Sequence, residues 1–515
     1  MKYLYLLSLF ILAGGLTSCA SFERYRILYN DRIEAGNFEE ATRLIENKRF
    51  YKKDRNEVLR YLELGALARM QGDLAKSNEY LNKADLLIED RRASIGSQGL
   101  AVVSNPRVLP YRTEYFENIA VHYLKSLNYL QLNDVSAARV EARRTNIRLQ
   151  ELNDAVPEKP LKYHDDVLGH ITMGLSYEMN GEWNNAFIAY RNAAELFIQE
   201  GKVQPYMGVR IPEQLKCDLV RMADQLGFAN DASRYRRLLN PRCKDDVGEG
   251  GSLVLFWENG QGPVKEENII GFDVMRRGDR SQVRFVNNSM GMEYDFGEDI
   301  YNEYNGFAGI NTVRLALPIF RPREYPLYRA DIKYPGGIQR MEMLEDLNVV
   351  AEQSLRDRFG RELANALIRL AAKEAVEAGL RSIKTKKKDD DEDNDGDEEQ
   401  KKSKDEDKDE EEDVEYDETL GLILGTTMSI VNAATERADI RSWQTLPAEI
   451  HYQRVPLKRG ANEIRVTFYN RYNQRLEEHY LRLNGGGRLQ VRHVITPDSR
   501  VLQPAATQNQ KPVQP

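Results

Sequence analysis

His170-Ile-Thr-Met-Gly174-Leu-Ser-Tyr177-Glu-Met-Asn-Gly181-Glu-Trp183-Asn-Asn-Ala186-Phe-Ile-Ala-Tyr190-Arg-Asn-Ala193 is the stretch from which the rest of the chain can be read. Gly174, Tyr177, Gly181, Trp183, Ala186, Tyr190 and Ala193 follow one another at separations of three, four, two, three, four and three. Steps of three and four keep residues on one face of a helix, and the step of two at Gly181 breaks that register. The pattern predicts a helix, a tight turn and a second helix folded back. Small residues sit where the helices cross, and aromatics fill the space beside them.

The same spacing recurs in Gly65, Ala68, Gly72, Leu74, Ser77, Leu81 and Ala84. A weaker copy runs through Ser126, Tyr129, Asn133, Val135, Ala138 and Ala142, and Gly36, Phe38, Ala41 and Ile45 supply the second helix of a fourth. These residues resemble the tetratricopeptide repeat (TPR), in which helix pairs stack because none can bury its face alone. A helical bundle with similar packing is the alternative. The chain over 19–245 is therefore expected to be a TPR-like helical array. Stacked pairs leave a concave groove that suits a protein partner. The marker positions 36, 72, 133 and 181 are unevenly spaced, so insertions interrupt the array; the one over 91–115 lines the groove or caps an edge.

At its C-terminal end the array carries Cys217 and Cys243. Pro212 opens one predicted helix, 227–230 makes a turn, and a second helix ends near Leu239. At about 1.5 Å of rise per residue the two sulfurs come to similar heights. A disulfide is expected in an oxidising compartment; two buried free thiols are the alternative.

An oxidising compartment is suggested by the first 18 residues. Lys2, a short apolar run over 3–12 and the small residues Ala13, Gly14 and Gly15 have the order of a secretory signal. Leu16, Thr17, Ser18 and Cys19 then resemble the bacterial lipobox, which implies cleavage and acylation of Cys19, with palmitate among the acyl groups. No acidic residue directly follows Cys19, which by resemblance to sorting rules favours the outer membrane's periplasmic leaflet.

The 515 residues suffice for two to four domains. The net charge of −8 misleads, because residues 384–418 hold 20 acidic and 8 basic side chains, a net of −12. The remainder has 65 basic and 61 acidic residues (73 less 8, and 81 less 20), a net of +4. That balance excludes a nucleic-acid footprint.

The second half reads as an antiparallel β domain in two parts, 250–343 and 442–496, interrupted by a helical hairpin over 344–441. Strands are expected at 253–257, 281–286, 311–317, 449–455, 462–469, 477–483 and 488–495, with Asn484-Gly-Gly-Gly487 as a hairpin turn between the last two. Helices are expected at 344–383 and 419–441, the second with Gly421 and Gly425 at a membrane-packing spacing. The acidic insert 384–418 is nearly all charge with almost nothing to bury and is expected to be disordered, as is the tail 497–515. Its Asp391-Glu-Asp-Asn-Asp-Gly396 imitates a calcium loop, but Lys402 stands where the bidentate Glu belongs. The fold class is thus multidomain α plus β.

Several strings also resemble, taken together, a family of bacterial TPR lipoproteins with no established activity: Val108-Leu-Pro-Tyr111, Val140-Glu-Ala-Arg-Arg144, Glu258-Asn-Gly260 with Pro263-Val-Lys265, and Ala438-Asp-Ile-Arg-Ser-Trp-Gln-Thr-Leu-Pro-Ala448. The resemblance spans roughly 19–496 and departs at the acidic insert. It implies lipidation and repeats and carries no catalytic residues over.

No Gly-x-Ser-x-Gly, His-Glu-x-x-His or phosphate-binding loop is present. His164-Asp165-Asp166 comes nearest to a metal cluster and reads better as a helix start. No enzyme activity, cofactor, metal or nucleic-acid partner is expected. The expected function is a lipid-anchored periplasmic scaffold whose repeat groove binds a protein in envelope assembly or secretion. A cell-wall or polysaccharide-acting enzyme, or its activator, is the second class; a membrane-inserting or pore-associated component is the third.

Overall fold

The computed structural model describes residues 19–94, 106–154, 162–244, 246–276, 283–289, 292–296, 312–366, 369 and 437–497. The lipobox residues Leu16, Thr17 and Ser18, the acidic insert, the stretch containing Gly421 and Gly425, and the tail from 498 on lie outside them.

The helical half consists of paired helices: α1 (Cys19–Glu34) with α2 (Phe38–Asn47), α3 (Glu57–Met70) with α4 (Leu74–Ser94), α5 (Tyr115–Gln131) with α6 (Val135–Asp154), α7 (Val167–Met179) with α8 (Trp183–Glu195), and α9 (Glu213–Gln225) with α10 (Ala229–Leu239). A small β1–β2 ribbon (Ile198–Gln199, Lys202–Val203) follows α8.

One device closes every pair. Gly36, Gly72, Gly181 and Gly227 have φ between 72° and 80°, and Asn133 takes the same left-handed conformation at 62°. Each lets the next N–H reach back to an orphan carbonyl of the helix just ended: Asp73 N to Ala68 O at 2.9 Å, Asp134 N to Tyr129 O at 2.9 Å, and Glu182 N to Tyr177 O at 2.9 Å. This closure needs positive φ, which glycine takes freely and asparagine tolerates. Asp73 and Asp134 then accept from Lys76 N and Ala137 N, starting the second helix. The step of two in the sequence pattern is this turn.

The small residues act where the helices cross. A Cβ on Gly174 would lie 2.7 Å from Tyr190 Cδ1, and one on Gly65 would lie 2.7 Å from Leu81 Cδ2. Ala84, Ala186 and Ala193 are fully buried. Tyr190 is also fully buried and donates to Glu178 at 2.8 Å, while Tyr177 packs at the edge of the core. Trp183 departs from expectation as a packing residue, being 38% exposed on the outer surface of α8.

Among the described residues the β half holds three four-stranded sheets. The first has the order β10 (Glu342–Asp346), β11 (Glu449–Pro456), β3 (Gly251–Asn259), β14 (Arg488–Thr496). The second is β13 (Arg475–Gly485), β12 (Gly460–Tyr469), β8 (Arg329–Tyr334), β9 (Gly337–Arg340), and the third is β6 (Met292–Phe296), β5 (Val283–Asn287), β4 (Val264–Arg276), β7 (Thr312–Arg321). Pairing is antiparallel except between β14 and β3, which run parallel with Val491 opposite Val254.

That exception corrects the expected turn at 484–487. β13 pairs with β12 and β14 pairs with β3, so the glycine run carries the chain from one sheet to another and closes no hairpin. The expected helix at Leu344 is also corrected: 342–346 is β10, bonded to β11, and helical backbone occupies 347–366. Asp346 sets that boundary by accepting from Asn348 N at 3.0 Å. Residues 437–441, expected to end a second helix, have no regular structure.

β3 explains the layering. Val254 and Phe256 point into the core shared with the helices, whereas Leu253, Leu255 and Trp257 point into a second core against Ala330, Ile332, Ile464, Val466 and Phe468. With both faces covered the strand needs no polar alternation, which accounts for Leu253-Val-Leu-Phe-Trp257. The order of layers is helices, first sheet, second sheet.

Candidate interaction surface on the concave face

The first helices of the pairs (α1, α3, α5, α7, α9) line the face where a partner peptide was expected. In α3, Glu57, Arg60 and Tyr61 are the residues not fully buried; in α7 they are Tyr177 and Met179. A helix lining an open groove would keep one wet face. These are covered all round because the chain's own β half lies on them, and the expectation of an open groove is corrected accordingly. β14 packs on α5, β10 on α7 and β11 on α9.

The remainder of the groove is occupied by 438–448, Ala-Asp-Ile-Arg-Ser-Trp-Gln-Thr-Leu-Pro-Ala, all buried except Asp439. It is held through its backbone, as grooves hold extended peptides. Trp443 N donates to Glu117 Oε1 at 2.7 Å and Gln444 N to Glu63 Oε1 at 2.7 Å. Glu63 Oε2 also accepts from Thr445 Oγ1 at 2.7 Å and from Tyr29 OH at 2.8 Å. Arg441 donates to Asn56 Oδ1 at 2.7 Å and to the Leu109 carbonyl at 3.0 Å. Arg107 donates to the Ala438 carbonyl at 2.7 Å. The described part of the 91–115 insertion thus lines the groove.

Burial of so many charges requires pairing, because an isolated buried ion is costly. Arg454 on β11 is fully buried and forks onto Glu178 of α7 at 2.9 and 2.8 Å, with Asp218 of α9 at 2.9 Å from Nε. Arg69 of α3 meets Glu258 of β3 and donates to Asn128 Oδ1 at 2.7 Å. Lys265 of β4 and Arg358 both bond Glu114, the residue that starts α5.

These surroundings move the carboxyl groups in opposite directions. Burial pushes Glu63 up to about 7, against hydrogen bonds from Thr445, Gln444 N and Tyr29. Burial, then the neighbouring Glu114 charge, raises Glu117. Burial also opposes the charge on Glu178, but Arg454 and Arg221 outweigh it and hold the group at about 2. The raised carboxyls Glu63 and Glu117 thus receive the peptide backbone, and the lowered Glu178 receives Arg454 and Arg221. The arrangement recognises and holds a chain; no nucleophile with an adjacent base emerges from it.

Cys19 is the first residue of α1. Cys217 and Cys243 form a disulfide with a Cα–Cα distance of 5.5 Å. It ties α9 to the strand-ward linker that carries Asp246, and Asp246 accepts from Gln214 at 2.9 Å. His164-Asp165-Asp166 does start a helix: Asp166 caps α7, and Asp165 bonds His170 at 2.9 Å. Asp85, His122 and Glu141 lie close enough to face one cation, but Lys125 Nζ already stands 3.2 Å from Asp85 and 2.9 Å from Glu141.

Glu63, Arg69, Glu117, Glu178, Asp218, Arg441 and Arg454 were not singled out from the sequence. For four of them a signal was present: Glu63, Arg69, Glu178 and Asp218 each stand between two apolar neighbours, as in Leu62-Glu-Leu64.

No family model matches the chain, and no curated protein matches it. Its helical portion is similar to solved helical-repeat structures. These include MamA from Desulfovibrio magneticus RS-1 (14% identity, TM-score 0.27, covering 42% of this chain and 93% of that one). A kinesin light chain of Podosopora anserina with nearly identical TPR-like repeats has 12% identity and a TM-score of 0.28, covering 42% and 91%. BtubC from P. vanneervenii has 16% identity and a TM-score of 0.27, covering 44% and 84%.

Proposed function

We propose that this chain is a lipid-anchored scaffold of the bacterial envelope, tethered through Cys19 at the periplasmic face of the outer membrane, that binds a protein in an assembly or secretion pathway. The observation that carries the scaffold reading is the filled concave face. A helical array and a β domain share one core and a set of buried ion pairs, so they present their outer surfaces as one body. The anchor is supported by Leu16-Thr17-Ser18-Cys19 and the short apolar run before it.

Because the groove is filled, the reading assigns partner binding to the outward surface of the second helices. Large apolar side chains are exposed there: Leu86 on α4, Val140 and Ile147 on α6, Trp183 and Ile188 on α8, and Phe228 at the start of α10. Repetition of such residues on successive helices suits a partner laid across the pairs. The enzyme reading has no such observation behind it. For membrane insertion, no described helix is long and apolar enough to cross a bilayer, and 420–434 lie outside the described residues.

Two experiments test the proposal. Metabolic labelling with an alkyne fatty acid should mark the wild-type chain and not Cys19→Ala; equal labelling would sink the anchor. Photo-cross-linking residues placed at Ile147, Trp183 and Phe228 should capture one common envelope protein in cells. Capture only from Ile338, on the second sheet, would overturn the assignment to the helices.

A further inference from the structure

The segment that ends α2 and follows it is basic. Residues 43–55 contain Arg43, Lys48, Arg49, Lys52, Lys53 and Arg55 against Glu46 and Asp54, a net of +4. That equals the net charge of the whole chain outside the acidic insert, gathered into thirteen residues.

Packing brings this loop to the start of α1. Phe50 and Phe22 meet with tilted rings, centroids 5.0 Å apart, and Lys48 Nζ lies 5.7 Å over the Tyr25 ring. Phe22 is three residues from Cys19, roughly 5 Å along a helix axis. Arg43, Arg49, Lys52 and Lys53 are exposed. Lys53 has a lowered pKa, through burial and then the nearby charges of Arg55 and Arg49, as expected for crowded cations. Arg43 approaches Glu39 at 3.8 Å, whereas among the described residues Lys48, Arg49, Lys52 and Lys53 form no ion pair with a carboxylate. On the same helix α1, Arg24, Ile27 and Leu28 are exposed and are helical neighbours at separations of three and four.

We infer that Lys48, Arg49, Lys52 and Lys53, with Ile27 and Leu28 of α1, form a membrane-contact face for anionic phospholipid headgroups at the anchored end of the chain. Basic side chains near a bilayer surface are drawn to anionic lipids, and apolar neighbours enter the headgroup boundary. An acyl anchor holds more firmly and in a fixed orientation when a polybasic surface accompanies it. The setting rests on the reading of Cys19 as the anchor; the lipid affinity of the face does not.

The test therefore removes the anchor. The mature chain, 19–515 with Cys19→Ser, is mixed with vesicles of phosphatidylcholine alone or with about 30% phosphatidylglycerol, a content that gives a strongly negative surface. Sedimentation should show binding to the anionic vesicles, little to the neutral ones, and loss at about 0.5 M salt, where screening is short-ranged. Replacing Lys48, Arg49, Lys52 and Lys53 by Gln should weaken binding by about fivefold per residue removed. Arg340→Gln with Arg482→Gln, on the second sheet, should leave it unchanged. Circular dichroism of each variant separates loss of binding from loss of fold. Equal binding to neutral vesicles, or anionic binding that survives the fourfold replacement, would overturn the inference. Absence of acyl labelling on Cys19 would remove the anchor while leaving these outcomes readable.

Discussion

Replacing Arg454 by Met tests whether buried ion pairs fasten the β half to the helices. Arg454 is fully buried, bidentate to Glu178 and in contact with Asp218, and neither carboxylate has water to turn to. Met keeps an unbranched apolar side chain and lacks the guanidinium, so the variant leaves two carboxylates sharing one arginine, Arg221, which is 3.1 Å from Glu178 and 2.7 Å from Asp218. Removing one partner of a buried pair costs about 3–5 kcal/mol. The pH dependence provides an independent check. Glu178 sits at about 2 in the folded chain against an ordinary 4.5. A lowered carboxyl contributes stability above its unfolded value and loses it as pH falls through the folded one. The gap between 4.5 and about 2 is worth roughly 3 kcal/mol. Urea unfolding at neutral pH should therefore show the full deficit of Arg454→Met, shrinking as pH falls below about 4, where the orphaned carboxyls take up protons. The triple variant Arg454→Met, Glu178→Leu, Asp218→Leu should recover most of the loss, since no unpaired charge remains. A deficit below about 1 kcal/mol, the range of exposed pairs, or one that grows on acidification, would refute the reasoning.

Glu63 predicts the opposite pH trend: its folded value, raised to about 7, means the native chain holds a proton that the unfolded chain releases above about 4.5. Stability should fall as pH rises from about 4.5 to 7, and Glu63→Gln should flatten that slope in thermal melts followed across the window; an unchanged slope counts against it. Cys217→Ser should lower stability by about 3 kcal/mol, since the bridge spans 26 residues of chain. A melt unaffected by the substitution would mean the linker is held without it. Gly174→Ala should cost about 1–3 kcal/mol through overpacking, because Tyr190 is fully buried and tied to Glu178. Pairing it with Tyr190→Leu should recover part of that loss, and strict additivity would show that the two residues do not meet.

The helical half was legible because its spacing has a local cause. The left-handed residue at 36, 72, 133, 181 and 227 and the small residues opposite Leu81 and Tyr190 act within one helix pair. What failed to show was the relation between halves. Nothing near 484–487 says that the following strand runs parallel to residues more than 230 positions earlier, so the glycine run read as a hairpin. Leu344 looked helical because its neighbours downstream are; its strand pairing with β11 is a distant event. The apolar residues spread around α3 and α7, with few charges between them, are the local hint of a covered groove.

The parallel pairing of β14 with β3 also has a kinetic side. β3 opens the β half, and the strand beside it follows more than 230 residues later. The helix pairs, whose contacts are local, can form early. The first sheet cannot be completed until 488–496 arrives, and closing so long a loop is slow. β14 is the strand that packs on α5, so that part of the concave face is covered last. Closing the first sheet thus waits on a contact between strands more than 230 residues apart, and only then is the part of α5 that lies under β14 covered.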